Sequence, residues 1–374
     1  MDLDLLLDDL RTMIECEAPS SDLAAVARSA AVVAGLGTTR LGVAPETLVV
    51  DGRTHLRWRL GAGPHRVLVV GHHDTVWPIG TLQRTPYSVV DGVLRGPGCF
   101  DMLAGLALAF HALPGLDGVT LLVTGDEELG SPSSRGLVED EARAHEAALV
   151  LEASADGGAL KTERKGVSLY DVRVTGRAAH AGLEPERGVN ATLELAHQAL
   201  AVSALADPAL GTTVTPTLLA AGTTTNTVPA AGSFAVDVRV RTRAEQERVD
   251  AALRALRPTL DGAVVEVAGG PNRPPLEAAS SAALLARARA LSPEPLSAVA
   301  VGGASDGNLT AGVGTPTLDG LGAVGGGAHA EGEHVLVEHL LPRATLLRAL
   351  VTDLLDRPLA DPTNSLATAG RGRP

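Results

Sequence analysis

Three short apolar runs, Val67 to Val70, Val119 to Val123 and Ala148 to Leu151, each end within a few residues of a histidine or a carboxylate. The first opens into Gly71-His72-His73-Asp74, the second into Gly125-Asp126-Glu127-Glu128, and the third into Glu152. Runs this short, bounded by turn residues and alternating with helical patterns such as Leu103 to Leu113, predict an α/β fold with a mostly parallel sheet flanked by helices. Ligands of such sheets gather at the carboxyl ends of the strands, which is where these side chains fall. An isolated His72-x-Asp74 is weak evidence, because a histidine beside an aspartate is usually an ordinary hydrogen-bonded pair. Here it is joined by Asp101, which ends Gly96-Pro97-Gly98-Cys99-Phe100-Asp101, and by His329, which follows Gly327-Ala328. Two histidines and four carboxylates are enough to hold two divalent ions and leave a carboxylate to act as base.

A chain of 374 residues exceeds one typical core and predicts two domains. From Gly166 the pattern changes: Val167, Leu169, Asp171, Arg173 and Thr175 alternate with Ser168, Tyr170, Val172 and Val174, and Phe234 to Val240 alternates again. Such alternation predicts half-exposed antiparallel strands, and residues 190–205 and 243–256 have helical spacing. The expected organisation is a discontinuous catalytic domain over 1–165 and 274–360, with a smaller α+β, ferredoxin-like domain inserted at 166–273. Helices are expected near 279–291 and 338–356, and the polar tail 361–374 is expected to be disordered.

Several classes are excluded. The formal net charge of -13 opposes nucleic-acid binding, and lysine is confined to Lys161 and Lys165. The apolar runs are too short to cross a membrane. The acidic start, Met1-Asp2-Leu3-Asp4, does not resemble a signal peptide, so a cytoplasmic setting is expected. Cys16 and Cys99 offer no disulfide framework, and Cys99 is expected to be a small buried side chain. His73, on the opposite side of an extended segment from His72, is expected to be a packing residue.

The ordered set His72-x-Asp74, Asp101, Glu127-Glu128, Glu152, His180 and His329 resembles the M20 metallopeptidase family, in its carboxypeptidase G2-like branch. The resemblance is carried by GHHDTVWPIG at 71–80, GPGCFDMLAG at 96–105, GRAAHAGLEPERGVNA at 176–191, NTVP at 226–229, DVR at 237–239 and RPP at 273–275. It implies two zinc ions per chain, replaceable by other divalent ions. Asp101 bridges them, His72 and Glu152 complete one site, and Glu128 and His329 complete the other. Asp74 orients His72 by accepting a hydrogen bond from the ring nitrogen that does not bind metal. Glu127 is implied as general base, and His180 as an oxyanion donor reaching across a homodimer formed by the inserted dimerisation and lid domain. For substrate, Arg273 matches an arginine that binds a C-terminal carboxylate, with Asn226, Arg239, Arg164 and the glycine-rich loop at Gly303 as further contacts.

Two departures bear on specificity: Leu103 replaces a lysine common in relatives, and Ala159 aligns with the lysine that contacts the substrate's side-chain carboxylate in the glutamate-releasing enzyme. The resemblance therefore implies a zinc amidohydrolase or carboxypeptidase that releases a C-terminal amino acid, glutamate being one candidate, from an N-acyl amino acid or short peptide. A deacylase or dipeptidase on the same scaffold, or a non-hydrolytic metal-binding member, is the alternative.

Overall fold

A computed structural model describes residues 1–359, and the tail 361–374 lies outside them. The chain divides into two compact units: Met1–Thr162, Ala278–Ala300 and the described residues from Ser305 form the first, and Glu163–Glu277 with Val301–Ala304 form the second. The short return 301–304, expected in the catalytic domain, belongs to the second unit and carries Gly303 with it.

The first unit is built on a six-stranded sheet in the order Glu46–Val50, Arg53–Leu60, Val119–Thr124, Val67–His72, Ala147–Val150, Thr317–Leu318. The first two strands are an antiparallel hairpin, whereas the last four run parallel to one another. Every residue of Val67–His72, Val119–Thr124 and Ala147–Val150 is buried, as expected for strands covered on both faces. Alternation assigns the faces. Val67, Val69, Leu121, Val123, Ala147 and Leu149 join the larger core, and Leu68, Val70, Leu122 and Ala148 pack on the other side with Val138, Ala142 and Leu309. The helix Ala104–Ala112 is apolar nearly all round and fully enclosed except at its terminal turn, so it forms the centre of the larger core. Leu3–Ile14, Leu23–Leu41 and Leu340–Asp356 contribute their apolar faces to that core, and Asp2 and Asp22 cap the first two at their N-termini. Each fully buried aliphatic side chain stabilises this arrangement by about 1.5 to 3 kcal/mol.

The second unit has strands and helices in the order β-α-β-β-α-β, from Gly166–Thr175 through Ala191–Ser203, Thr213–Ala221, Ala231–Val240 and Arg243–Arg254 to Val264–Arg273. The four strands of its main sheet are all antiparallel, with Gly166–Thr175 and Ala231–Val240 in the middle and Thr213–Ala221 and Val264–Arg273 at the edges. This is the ferredoxin-like arrangement. Tyr170, Val172, Val174, Phe234, Val236, Val238 and Val240 point to one face and pack with Leu195, Val202, Val249 and Leu253 of the helices. The intervening residues, Asp171, Asp237 and Arg239 among them, line the other.

Candidate metal centre

The parallel strands deliver their ligands at one end. His72 closes its own strand, Glu127 and Glu128 form a single helical turn after Val119–Thr124, and Glu152 follows Ala147–Val150. Asp101 enters from a tight turn, Cys99–Leu103, that leads into the central helix, and the Asp101–Met102 peptide is cis. His329 has φ 60, a left-handed conformation in which histidine is tolerated better than most residues, within a turn closed by Ala330 N–H donating to the Gly327 carbonyl.

These side chains converge. His72 Nε2 lies 3.4 Å from Asp101 Oδ1 and 3.5 Å from Glu152 Oε1. His329 Nε2 lies 3.3 Å from Asp101 Oδ2 and 3.1 Å from Glu128 Oε2. Asp101 thus turns one oxygen toward each imidazole. Glu127 groups with His72 and Glu152, ligand atoms within 4.8 Å of one another, beside a second grouping of His72, Asp101 and Glu128.

The donors fit metal ions. His72 Nε2 is buried and has no hydrogen-bond partner among the described residues. Its other nitrogen, Nδ1, lies 2.9 Å from the main-chain carbonyl of Asp74, which can only accept, so Nδ1 carries the proton and Nε2 presents its lone pair. Two ligands held about 2.0 to 2.1 Å from a tetrahedral zinc ion are roughly 3.3 Å apart, close to the four nitrogen–oxygen separations above. Without a cation the cluster binds protons instead. Burial disfavours a charge on His72, but Asp101, Asp74 and Glu152 outweigh it and raise its pKa well above the ordinary value. Asp101 and Glu128 push His329 up to about 10. Burial opposes ionisation of Asp101, yet the imidazoles of His329 and His72 beside it hold its carboxyl below the usual range.

Asp74 faces His72 Nδ1 with two acceptors. Its carbonyl, not its carboxylate, is the nearer acceptor for His72; the carboxylate stands 3.5 Å from Nδ1 and accepts from the main-chain N–H groups of Glu127 (3.2 Å) and Glu128 (3.3 Å). Asp74 therefore ties the two glutamates to the histidine strand. Behind them Asp126 accepts from the N–H groups of Ser133 (2.7 Å) and Ser134 (3.2 Å) and from both serine hydroxyls, while His55 Nε2 lies 3.2 Å from Ser133 Oγ. Glu152 is fixed by close packing: a Cβ at Gly105 or at Gly322 would collide with the Leu151 carbonyl, so both approaches require glycine.

His73 is a packing residue. Its Nε2 donates to the Thr54 carbonyl at 3.0 Å, its Nδ1 faces the Ser29 hydroxyl at 3.1 Å, and burial lowers its pKa. Cys99 is fully buried, and burial pushes its thiol well above the ordinary range. Leu103 is part of the apolar core.

The other candidates all belong to the second unit. His180 and Asn226 are exposed neighbours: Ala179–His180 pairs with Thr227–Val228, and Ala181 N–H donates to the Asn226 carbonyl at 2.9 Å. Gly182 N–H donates to His180 Nδ1 at 3.1 Å, which leaves the ring proton on Nε2, pointing away from this turn. Arg239 and Arg273 are both register partners of Val167, on strands either side of it. Arg239 gives its guanidinium fork to Asp237, at 2.8 and 2.9 Å. Arg164 donates to the Gly303 carbonyl at 3.1 Å, and Arg164 and Arg273 are both buried.

Sequence reading missed Glu333, four residues beyond His329. It accepts four N–H hydrogen bonds beside the centre, from Trp77, Gly98, Phe100 and Asp101. Its spacing from His329 was the available signal, obscured by Glu331 in the same loop.

Residues 68–353 match peptidase family M20/M25/M40. The chain is 32% identical over 289 residues to carboxypeptidase G2 of Pseudomonas sp. (strain RS-16), covering 72% of this chain and 69% of that one. It is 29% identical over 165 residues to acetylornithine deacetylase of Photorhabdus laumondii, covering 42% and 41%. The fold superposes on that of aminopeptidase PepT from Bacillus cereus with a TM-score of 0.76 at 22% identity, over 95% of this chain and 99% of that one.

Proposed function

Because the chain belongs to peptidase family M20/M25/M40, a family of hydrolases, we propose that it is a binuclear zinc amidohydrolase that releases a C-terminal amino acid from an N-acyl amino acid or short peptide. The observation that carries this reading is Asp101, with one oxygen 3.4 Å from His72 Nε2 and the other 3.3 Å from His329 Nε2. Bound there, two divalent ions would polarise the scissile carbonyl and lower the pKa of water. Glu127, held by its main-chain N–H against Asp74, takes the proton of the attacking water and passes it to the leaving amine. His180, with its proton on Nε2, donates to the oxyanion that develops as the carbonyl becomes tetrahedral. Arg273 holds the substrate's terminal carboxylate through its planar fork, with Arg164, Asn226 and the Gly303 loop of the same unit in the role of further substrate contacts.

A homodimer is part of this reading. Thr213–Ala221 is an edge strand of the second unit's sheet and exposes Leu218 (86%) and Leu219 (54%), and the helix Ala191–Ser203 exposes Leu200 (73%). A free edge flanked by apolar side chains is a surface that pairing with a second copy would cover. A cytoplasmic setting is consistent with two free cysteines. Among the described residues no helix is long and apolar enough to cross a membrane.

The deacylase reading is kept open by Ala159, which is buried and carries no group to contact a substrate side-chain carboxylate. A panel of N-acyl amino acids and their C-terminal amides, scored by amine release, separates the readings. Carboxylate forms should be strongly preferred. Arg273→Ala should reduce kcat/KM for them by about 1.5 to 3 kcal/mol while hardly changing the amides. Equal rates on both forms with wild type would replace the carboxypeptidase reading with a deacylase or broader amidase.

A further inference from the structure

Glu333 is 2% exposed and its side chain is aimed into the turn that carries Asp101. Its Oε2 accepts from the Trp77 indole at 2.7 Å and from Gly98 N–H at 2.9 Å; its Oε1 accepts from Phe100 N–H at 2.9 Å and Asp101 N–H at 3.0 Å. Two donors on each oxygen fill the lone-pair positions of a carboxylate. The three main-chain donors open the turn Cys99–Leu103, which leads through a kink at Asp101 and Met102 into the helix Ala104–Ala112. The acid itself comes from the His329 loop: Glu333 N–H donates to the Ala330 carbonyl at 2.9 Å, and Ala330 N–H to that of Gly327. Trp77 follows the His72 strand closely in sequence. One side chain therefore ties together three segments that carry His72, Asp101 and His329.

We propose that Glu333 is a positioning residue: it holds the turn of the shared carboxylate Asp101 in register with the His329 loop, so that both candidate metal sites are formed together. The proposal rests on the binuclear reading, and it assigns Glu333 no contact with substrate. A carboxylate is required. An amide of the same shape would set its NH2 group against two N–H donors, losing two hydrogen bonds without changing volume, whereas a cap serving only stability would tolerate that with the metals in place.

The test is titration of metal-free protein with CoCl2, followed by visible absorption and by the spin coupling that a shared carboxylate gives between two Co2+ ions. Loss of an outer partner of a ligand typically weakens metal affinity 10- to 100-fold, and Glu333→Gln should do so for at least one site, abolish the coupling, and lower kcat without raising KM. Trp77→Phe removes one of the four donors and should give a smaller loss in the same direction; it decides the matter if Glu333→Gln does not fold. Glu194→Gln is the control, since Glu194 is a fully buried acid that caps Thr259 and Leu260 N–H groups in the second unit. It should lower the melting temperature and leave Co2+ binding unchanged. If Glu333→Gln behaves like this control, with wild-type affinity and coupling, the proposal is overturned. If wild type takes up only one Co2+, the binuclear reading fails separately, and the affinity of Glu333→Gln for that ion still decides whether Glu333 positions Asp101.

Discussion

The buried ligands of the first unit and the exposed pair His180 and Asn226 of the second are held in opposite ways. In the first unit His72, Asp74, Glu127 and Glu152 are buried, and main-chain groups or close glycine packing fix the segments that carry them. In the second, His180 and Asn226 stand exposed at a pair of two-residue strands, Arg239 is already engaged by Asp237, and of its candidate groups only Arg164 and Arg273 are buried like the ligands of the first unit. Burial and main-chain hydrogen bonds preorganise ligands for ions whose geometry is fixed. Groups that meet a substrate need access, so their precision must come from what docks onto them. The first region should therefore lose function through the chemistry of single atoms, and the second through encounter and assembly.

Glu127→Gln is the sharpest test of the first half of that contrast. It should retain both metals and lower kcat by roughly a hundredfold or more, the scale of lost general base catalysis. Loss of metal instead would mean that Glu127, which lies with His72 and Glu152, is a ligand and Glu128 is not.

His180→Ala tests the second half. Removing one oxyanion donor should cost about 10²-fold in kcat with metal content unchanged. If the imidazole acts across a dimer, inactive His180→Ala mixed with inactive Glu127→Gln should regain activity after subunit exchange, because one hybrid site holds both native groups. Demonstrated exchange with no recovery would assign His180 to its own chain or to structure.

The smallest effect concerns a brace in the first unit that is not part of the chemistry. Asp9 accepts from Arg40 at 2.7 and 2.8 Å and from His111 at 2.8 Å, tying Leu3–Ile14 to Leu23–Leu41 and to Ala104–Ala112. Burial raises its pKa, but Arg40 and His111 outweigh that and hold it below the usual value. A carboxyl with a depressed folded pKa stabilises above its unfolded pKa, about 3.9, and the contribution is lost as pH falls through the folded value. Asp9→Asn should therefore lower stability by about 2 kcal/mol at pH 7, with the gap to wild type closing in acid and metal content unaffected. Denaturant titrations at both pH values measure it, and a gap independent of pH would remove the electrostatic explanation.

The three buried parallel strands were legible in the sequence because covered strands must be continuously apolar, and their ligands follow at the strand ends. The hairpin Glu46–Val50 and Arg53–Leu60 was not singled out. Its charged residues mask the alternation, although Asp51 and Gly52, with φ 49 and 78, are a turn pair that favours hairpins. Thr213–Ala221 and Val264–Arg273 were obscured by Pro216 and Pro271, which only edge strands tolerate. Asp74 was recognised, but its carboxylate's partners are main-chain groups some fifty residues away in sequence, which no local pattern encodes. Glu333 was hidden for the same reason, since its role depends on donors more than two hundred residues earlier.

The central claim is that Asp101 is shared between two ions, and metal analysis of the purified protein alongside a hydrolysis assay tests it most directly. Wild type should saturate at two divalent ions per chain and lose activity on chelation. Asp101→Ala should retain neither ion tightly, whereas His73→Ala should retain both. Saturation of wild type at a single ion with full turnover, or an Asp101→Ala protein that keeps both ions, would contradict the account.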